Sequence, residues 1–557
     1  MGQSQSQPPR PKLPETKVGS FADRQFPFEN IVLEGGGAKG IAYIGSCKVL
    51  EDAGIMPQIK RFAGTSAGAI TAALLAIGMT SQELLEELSA QNLLDVVLDT
   101  SWTKTSWIPG MKKLGQVWDV FQNKGACPGN KFLEWFGDIL DRNLKKRGLP
   151  LDRDVTFDQI YNVLGKELCI VAYNMNYNRE SFLHVKTTPV MRVREAVRMS
   201  MSIPVVFQPY TLANLFTYID GGLAANFPLY AFDGWYLSMD KEDTFYKRLN
   251  RLKDGDRRLI RRVFYPEYRW ERFESEGPQE FEKTLGVLIF SDTDREVYQD
   301  QFQERLDELA KKDASFRKSR PDTEKARKFA QQTLRQEAAK EAGIKSFEAL
   351  VNNRMKTLIQ RITGYDDTDG GTIDVPETQS LSGGAEGMPD GGEEALLIAM
   401  AADPPPPMEP KITVEEARRK FFEIVTEDDV KAMQVTTKEE AFKELFLDVY
   451  GNLTVERVLN MYENYAPLQV AKRRILGTRC VESTGQFYGT LLDFVGSKNH
   501  LSEADIGRCI GVDVDYLSTM DFDMTPTDME FLMAQGATAA TAYIVEYVER
   551  KQPPHKV

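Results

Sequence analysis

Histidine is scarce. The 557 residues hold three, His184, His500 and His555. Most serine nucleophiles rely on a histidine base, so that chemistry has few candidates. Cysteine is sparse too: five residues, an odd number, widely spaced and with no C-x-x-C pair. That excludes a disulfide framework and a structural zinc, and fits a reducing compartment. No uncharged apolar run reaches the ~18 residues of a membrane span; the longest candidate is AGAITAALLAIGM. Basic excess is absent as well. Asp and Glu outnumber Lys and Arg by 82 to 69, for a net charge of −13, which disfavours nucleic acid and a tight grip on an anionic surface. No cluster of residues has metal-ligand spacing, so neither a metal nor another cofactor is expected.

What is present is a soluble globular composition, 42% apolar and 27% charged, too long for one core. The polar, proline-rich start reads as no secretory signal. It opens MGQSQS, and Gly2 with Ser6 fits the myristoylation pattern as well as it fits an ordinary frayed terminus. One myristoyl chain binds membranes only marginally, and Arg10, Lys12 and Lys17 add a thin second signal. The expected location is cytoplasmic, with peripheral membrane association.

Residues 1–27 read as disordered. From NIVLE to about residue 300, short apolar runs alternate with helical patterns. ELCIVAYNM and TLGVLIFSD read as buried strands, and IAYIGSCKVLEDAG as a helix closed by Gly54. Thr80 with Glu83 forms a capping box for the next helix. This alternation predicts an α/β domain over 28–300 with a mainly parallel sheet. Residues 301–362 read as charged and helical, with an apolar stripe from Phe347 through Leu350, Val351, Met355, Leu358 and Ile359 to Ile362. Glycine, acid and proline make 363–411 a flexible linker. Thr413 and Thr437, each with a glutamate three residues on, open helices in a region running to about residue 504.

The chemistry sits in three short stretches. GTSAG, around Ser66, is a G-x-S-x-G motif. On a tight strand-to-helix turn its serine adopts a strained backbone, and Gly64 and Gly68 are needed because side chains there would collide. The turn would hold Ser66 at a helix N-terminus, which favours developing negative charge. IVLEGGGAKG places Gly35, Gly37 and Gly40 as G-x-G-x-x-G after a strand. A dinucleotide site is one reading, but the second strand, QIKRFA, runs into the serine motif with no ribose-binding acid at its end. The other reading is an oxyanion hole of backbone N–H groups. Two such turns on successive strands would face one cleft. In FTYIDGGLAANFPLY, Asp220 ends an apolar strand and precedes Gly221 and Gly222; its carboxylate is a candidate base. A free aspartate, with pKa near ~3.9, is a poor base for a serine, and an apolar pocket would raise it. His184 reads as packed or exposed rather than catalytic, and Lys39 as a solvated helix-start residue more than a headgroup ligand. RRLIRRVFYPEYRWERF, residues 257–273, reads as a solvated helix face with an aromatic edge, with a lipid-interface role as the lesser reading.

GGGAKG, GTSAG and DGGLAANFP, in that order, resemble the patatin-like phospholipase family. The resemblance implies a three-layer α/β/α fold and a Ser–Asp dyad, with Ser66 as nucleophile and Asp220 as base. It implies oxyanion donors among Gly35, Gly36 and Gly37, and metal-free hydrolysis of acyl esters in membrane phospholipids or lysophospholipids. MDFDMTPTDMEFLMAQGATAATAYIVEYV is similar to the family's closing helix, which assigns 505–550 to the same fold and makes the helical stretch between a large insertion, with Thr525 as cap and Pro526 at the first helical position. In patatin-like effectors such extra regions meet membranes or protein partners, so an activating protein is an expected partner beside the phospholipid substrate. The competing readings are a non-catalytic lipid- or partner-binding protein on this fold and a nucleotide-binding enzyme.

Overall fold

The computed structural model describes residues 10–17, 21, 24–89, 125–213, 215–237, 272–273, 281–291, 299–335, 355–364, 409–432, 435–448, 450–459 and 501–551. Gly2, the 257–271 part of the arginine–aromatic segment, most of the linker, His500 and His555 lie outside these residues. The chain divides into two compact units, residues 1–332 with 479–557, and residues 333–478.

The first unit is built on an eight-stranded mixed sheet. Its parallel part comprises β1 (Asn30–Leu33), β2 (Arg61–Thr65), β4 (Glu167–Asn174), β9 (Thr284–Phe290) and β10 (Cys509–Asp513), in the order β10-β9-β1-β2-β4. The chain leaves β1 toward β2 on one side and later returns as β9 on the other. The end of β1 is therefore the point where strand order reverses, the usual place for a ligand crevice. β5 (Arg179–His184) and β8 (Phe216–Asp220) run antiparallel to β4, and β7 (Tyr210–Leu212) pairs antiparallel with β8. β3 (Gly125–Cys127) and β6 (Val205–Phe207) form a separate parallel pair.

The strands read as continuous apolar runs because both faces are covered. Side chains alternate between two cores. Ile31, Leu33, Phe62, Ile170, Val287 and Ile510 enter one, with α1 (Ala42–Asp52), α2 (Ala67–Ala76) and α10 (Pro526–Lys551). Val32, Ala63, Cys169, Val171, Leu288 and Phe290 enter the other, with the turns of residues 225–237 and Phe302 of α6 (Gln299–Lys312). This is a three-layer α/β/α arrangement. α10 lies directly on α1: the Ser46 hydroxyl donates to the Gly536 carbonyl (2.9 Å), and a side chain at Gly45 or Gly536 would strike the opposite backbone. Thr525 caps α10 reciprocally with Asp528. Thr80 and Glu83 form the capping box of α3 (Ser81–Ser89). Residues 299–332 belong to this unit, so the charged helical stretch is shared between the two units.

In the second unit, Met355, Leu358, Ile359 and Ile362, on and just before α7 (Lys356–Thr363), bury against Ala417 and Phe421 of α8 (Val414–Ile424) and Phe442 and Phe446 of α9 (Lys438–Phe446). Thr413 and Thr437 cap the latter two helices. Phe347, Leu350 and Val351 of the expected stripe lie outside the described residues.

Candidate active site

β4 brings the two principal residues together. Its residues 169–174 pair with β5 along one edge. The other edge is shared: Arg61–Thr65 of β2 pair with residues 167–171, and Tyr218–Asp220 of β8 take up the ladder at residues 172–174. Strands β2 and β8 thus meet head-on along β4. Ser66 directly follows Thr65, and Asp220 is the last residue of β8, so both lie at the carboxyl end of the parallel strands. The expectation that Asp220 ends a strand there is met by an antiparallel strand that reaches the site from the opposite direction.

Ser66 occupies φ 52°, ψ −120°, a left-handed conformation costly for a non-glycine residue. It opens α2. A side chain at Gly64 would overlap the Gly68 backbone, and one at Gly68 would overlap the carbonyls of Leu33 and Glu34. The strain is held by Ser200, the last residue of α5 (Val193–Ser200). Its hydroxyl accepts the Ser66 N–H (2.9 Å) and donates to the Val171 carbonyl (2.5 Å). Two residues on, the Ser202 carbonyl accepts the Asp220 N–H (3.0 Å). One helix end therefore grips both candidates. The sequence pattern RMSMSIP gave no reason to single out either serine.

Asp220 is buried. Oδ1 accepts the Gly222 N–H (2.7 Å), while Oδ2 has no hydrogen-bond partner among the described residues. Burial pushes its pKa up to about 6; the Gly222 N–H and the nearby Ser66 hydroxyl draw it partly back. Gly221 packs where a side chain would meet the Val171 carbonyl.

The glycine loop lies beside the elbow, with Gly40 close against Ala67. Its three candidate donors are not equivalent. The Gly35 N–H is taken by the Asn226 carbonyl (2.9 Å), which removes Gly35 from the set of free donors. The N–H groups of Gly36, Gly37 and Ala67 donate to no described residue. Asn226 holds the loop further, its Nδ2 donating to the Gly35 carbonyl (3.1 Å) and Glu34 Oε1 (3.2 Å). Glu34 Oε2 accepts the Ile289 N–H (2.8 Å). Gly37 has φ 53° and lies under Thr519, whose carbonyl accepts the Ala38 N–H (2.9 Å). Lys39, expected in solvent, is buried because the loop continues into a tight turn, Gly37–Ile41, packed on the protein.

An apolar pocket, partly open to solvent, leads away from Ser66. It is lined by Gly37, Ile41, Ala67, Ile70, Leu88, Phe132, Trp135, Met201, Ile203, Phe207 and Phe522, among others. His184 is remote from it. It is fully buried opposite Cys169 near the amino end of β4, with Nε2 3.3 Å from Glu167 and Nδ1 accepting the Lys186 N–H (3.2 Å). Desolvation lowers its pKa, against the opposing pull of Glu167. Among the described residues no group of three or more His, Cys, Asp or Glu is placed to hold a metal, and no helix is long and apolar enough to cross a membrane.

Residues 31–233 match the family model for patatin-like phospholipase. A Bacillus subtilis protein, uncharacterized protein YqhO, is 35% identical over 214 residues, 36% of this chain and 65% of its own length. The probable lipid hydrolase 463L of Invertebrate iridescent virus 6 is 29% identical over 211 residues, 38% of this chain and again 65% of its own length. This chain thus spans just under two thirds of either relative. Among solved structures, VipD from Legionella pneumophila aligns over 99% of this chain and 91% of its own at 16% identity and a TM-score of 0.30. Full-length ExoU, in complex with SpcU from Pseudomonas aeruginosa, aligns over 90% and 98% at 16% identity and 0.27.

Proposed function

We propose that the protein, whose residues 31–233 match the family model for patatin-like phospholipase, is a serine lipid acyl hydrolase of the phospholipase A type, with Ser66 as nucleophile and Asp220 as general base. The observation that carries the reading is the head-on meeting of β2 and β8, which leaves the free Oδ2 of a buried aspartate beside a strained serine.

The pKa of about 6 suits this role. At neutral pH Asp220 is mostly ionised, yet far more basic than an ordinary carboxylate, and it takes the Ser66 proton without a histidine. Ser66 Oγ attacks the ester carbonyl. The N–H groups of Gly36, Gly37 and Ala67 stabilise the tetrahedral oxyanion, aided by the N-terminus of α2. Collapse expels the alcohol, protonated by Asp220, and leaves an acyl-Ser66 ester. Asp220 then takes a proton from water, which attacks that ester; collapse breaks the acyl–Ser66 bond, Asp220 returns the proton to Ser66 Oγ, and the fatty acid leaves. The apolar pocket accommodates the acyl chain. Burial of Asp220 within the protein is the reason its pKa is high.

Ser66→Ala and Asp220→Asn are each expected to abolish ester hydrolysis, and together to lose no more than either alone, since the two act as a unit. A fluorophosphonate probe, read by mass spectrometry of peptides, is expected on Ser66. Labelling of another serine, or full activity in Asp220→Asn, overturns the assignment.

A further inference from the structure

The hairpin between β4 and β5 and the hairpin between β7 and β8 end in exposed apolar side chains. Met175 is 50% exposed, Tyr177 59% and Leu215 64%. The turn after β4 is tied to the start of β8. The Met175 N–H donates to the Thr217 carbonyl (2.9 Å), Asn176 Oδ1 accepts the Thr217 N–H (2.7 Å), and the Tyr177 and Phe216 rings lie 5.4 Å apart. The exposed side chains of residues 175–177 thus sit on a segment bonded to β8.

Their place in the sheet is informative. Asp220 pairs with Ala172, and Met175 lies three residues further along β4, roughly 10 Å beyond the reacting groups at the same, carboxyl end of the parallel strands. The second tip connects to the pocket through the chain itself: Ile203 and Phe207 line the pocket, and β7 runs from there to the turn bearing Leu215.

Charge is arranged to match. Residues 168–179 and 203–219 contain no Asp or Glu, although the chain has 82 and a net charge of −13. Around the tips the residues are Asn, Thr, Tyr and one Arg, a combination that sits comfortably among lipid headgroups. Three side chains expose roughly a few hundred Å² of apolar surface, well short of the ~800 Å² that each partner buries in a stable dimer. A bilayer asks for less: a few apolar tips entering the headgroup boundary suffice for reversible binding.

We propose that Met175, Tyr177 and Leu215 dock the protein on the surface of a phospholipid bilayer, at the end of the sheet where Ser66 opens. This rests on the reading of the site as a lipid acyl hydrolase, because docking there delivers the substrate to the pocket. Because the tips carry no acid and a single Arg, binding depends mainly on apolar insertion and persists in high salt.

The test is co-sedimentation of full-length protein, carrying Ser66→Ala to prevent lipid turnover, with vesicles of phosphatidylcholine alone and of phosphatidylcholine and phosphatidylserine in equal parts. Both are expected to bind it, with little salt dependence. The triple variant Met175→Ser/Tyr177→Ser/Leu215→Ser is expected to lose binding about tenfold or more, as removal of that much inserted apolar surface implies. Leu215→Asp, at the most exposed of the three positions and so without effect on packing, is expected to lose most of it alone. With Ser66 intact, both variants are expected to hydrolyse a water-soluble short-chain ester at the wild-type rate. Unchanged vesicle binding in the variants overturns the proposal. So does binding confined to phosphatidylserine and abolished by salt, or a dimer on gel filtration that the triple variant dissolves while vesicle binding stays. The vesicle measurement uses no turnover, so absence of esterase activity would count against the hydrolase reading and leave the docking result separate.

Discussion

Two strand-to-helix turns stand side by side at the carboxyl end of the sheet, and they are held from different parts of the chain. The elbow at Ser66 is set by Gly64 and Gly68, by the end of β1 and by Ser200. All of these lie within the segment that matches the family model, residues 31–233. The glycine loop after β1 is held by Asn226 from that segment, but also by Ile289 of β9 and by Thr519 after β10. Ser66, the proposed nucleophile, is positioned by the motif-bearing part of the chain. The groups that would stabilise its transition state depend on residues beyond it.

The largest way to break this contrast is a chain ending at residue 332. It keeps all three motifs but loses β10, Thr519 and α10, and it exposes the apolar face of α1. Insoluble or inactive protein is expected, checked by gel filtration and a soluble-ester assay. A folded, active monomer would show that the elbow suffices without its distal supports.

Gly37→Ala sharpens the same contrast at one residue. The positive φ at Gly37 and the overlying Thr519 carbonyl leave no place for a side chain. The loop would shift and carry its N–H groups out of register, and loss of one such donor lowers turnover by ~10²–10³. KM for a soluble ester is expected to change little, because the loop acts on the transition state. Gly36→Ala is the control. A methyl there would lie 2.9 Å from Ile289 Cδ1, the movable end of a side chain, so a milder loss is expected.

Asp220 gives a pH signature. As a base it must be ionised, so kcat/KM falls tenfold per unit below about pH 6 and levels off above. Its effect on stability has the opposite sense. Between the unfolded value near 3.8 and the folded value near 6, the native state binds the extra proton, so stability declines as pH rises through that window. Asp220→Asn is therefore expected to stabilise the inactive protein at pH 7 by about 1–3 kcal/mol, and the gain should vanish near pH 4. Thermal melts at both pH values test this.

The parts legible in the sequence were those that act locally. Buried strands announced themselves as apolar runs, helix starts as the capping pair Thr80–Glu83 and as Thr525 before Pro526, and the elbow as glycines flanking a serine. Contacts between distant segments left no such signal. Nothing in the order of residues shows that the Asn226 carbonyl occupies the Gly35 N–H, that Lys39 turns inward, or that β8 arrives antiparallel. Each is decided by which strands become neighbours, and strand neighbourhood is a tertiary property.

Ser200 is the clearest case of a residue whose role only the fold reveals, and it carries the smallest and most discriminating prediction. Its hydroxyl joins two backbone groups that would otherwise be buried without partners, the Ser66 N–H and the Val171 carbonyl. Leaving a buried polar group unsatisfied costs about 1–3 kcal/mol. Part of that would fall on stability. The rest would fall on the geometry of Ser66, since a strained conformation persists only when its surroundings over-determine it. Ser200→Ala is thus expected to lower kcat about tenfold, the equivalent of 1.4 kcal/mol, with KM for a soluble ester unchanged. Ser200→Thr, which keeps the hydroxyl, is expected to restore much of the loss. The effect should be well below that of Gly37→Ala, because relaxation of Ser66 shifts the nucleophile without removing a charge-stabilising donor. A Ser200→Ala protein with a lower melting temperature and unaltered kcat would mean that the hydroxyl only supports the fold, and that Gly64, Gly68 and the end of β1 hold the elbow unaided.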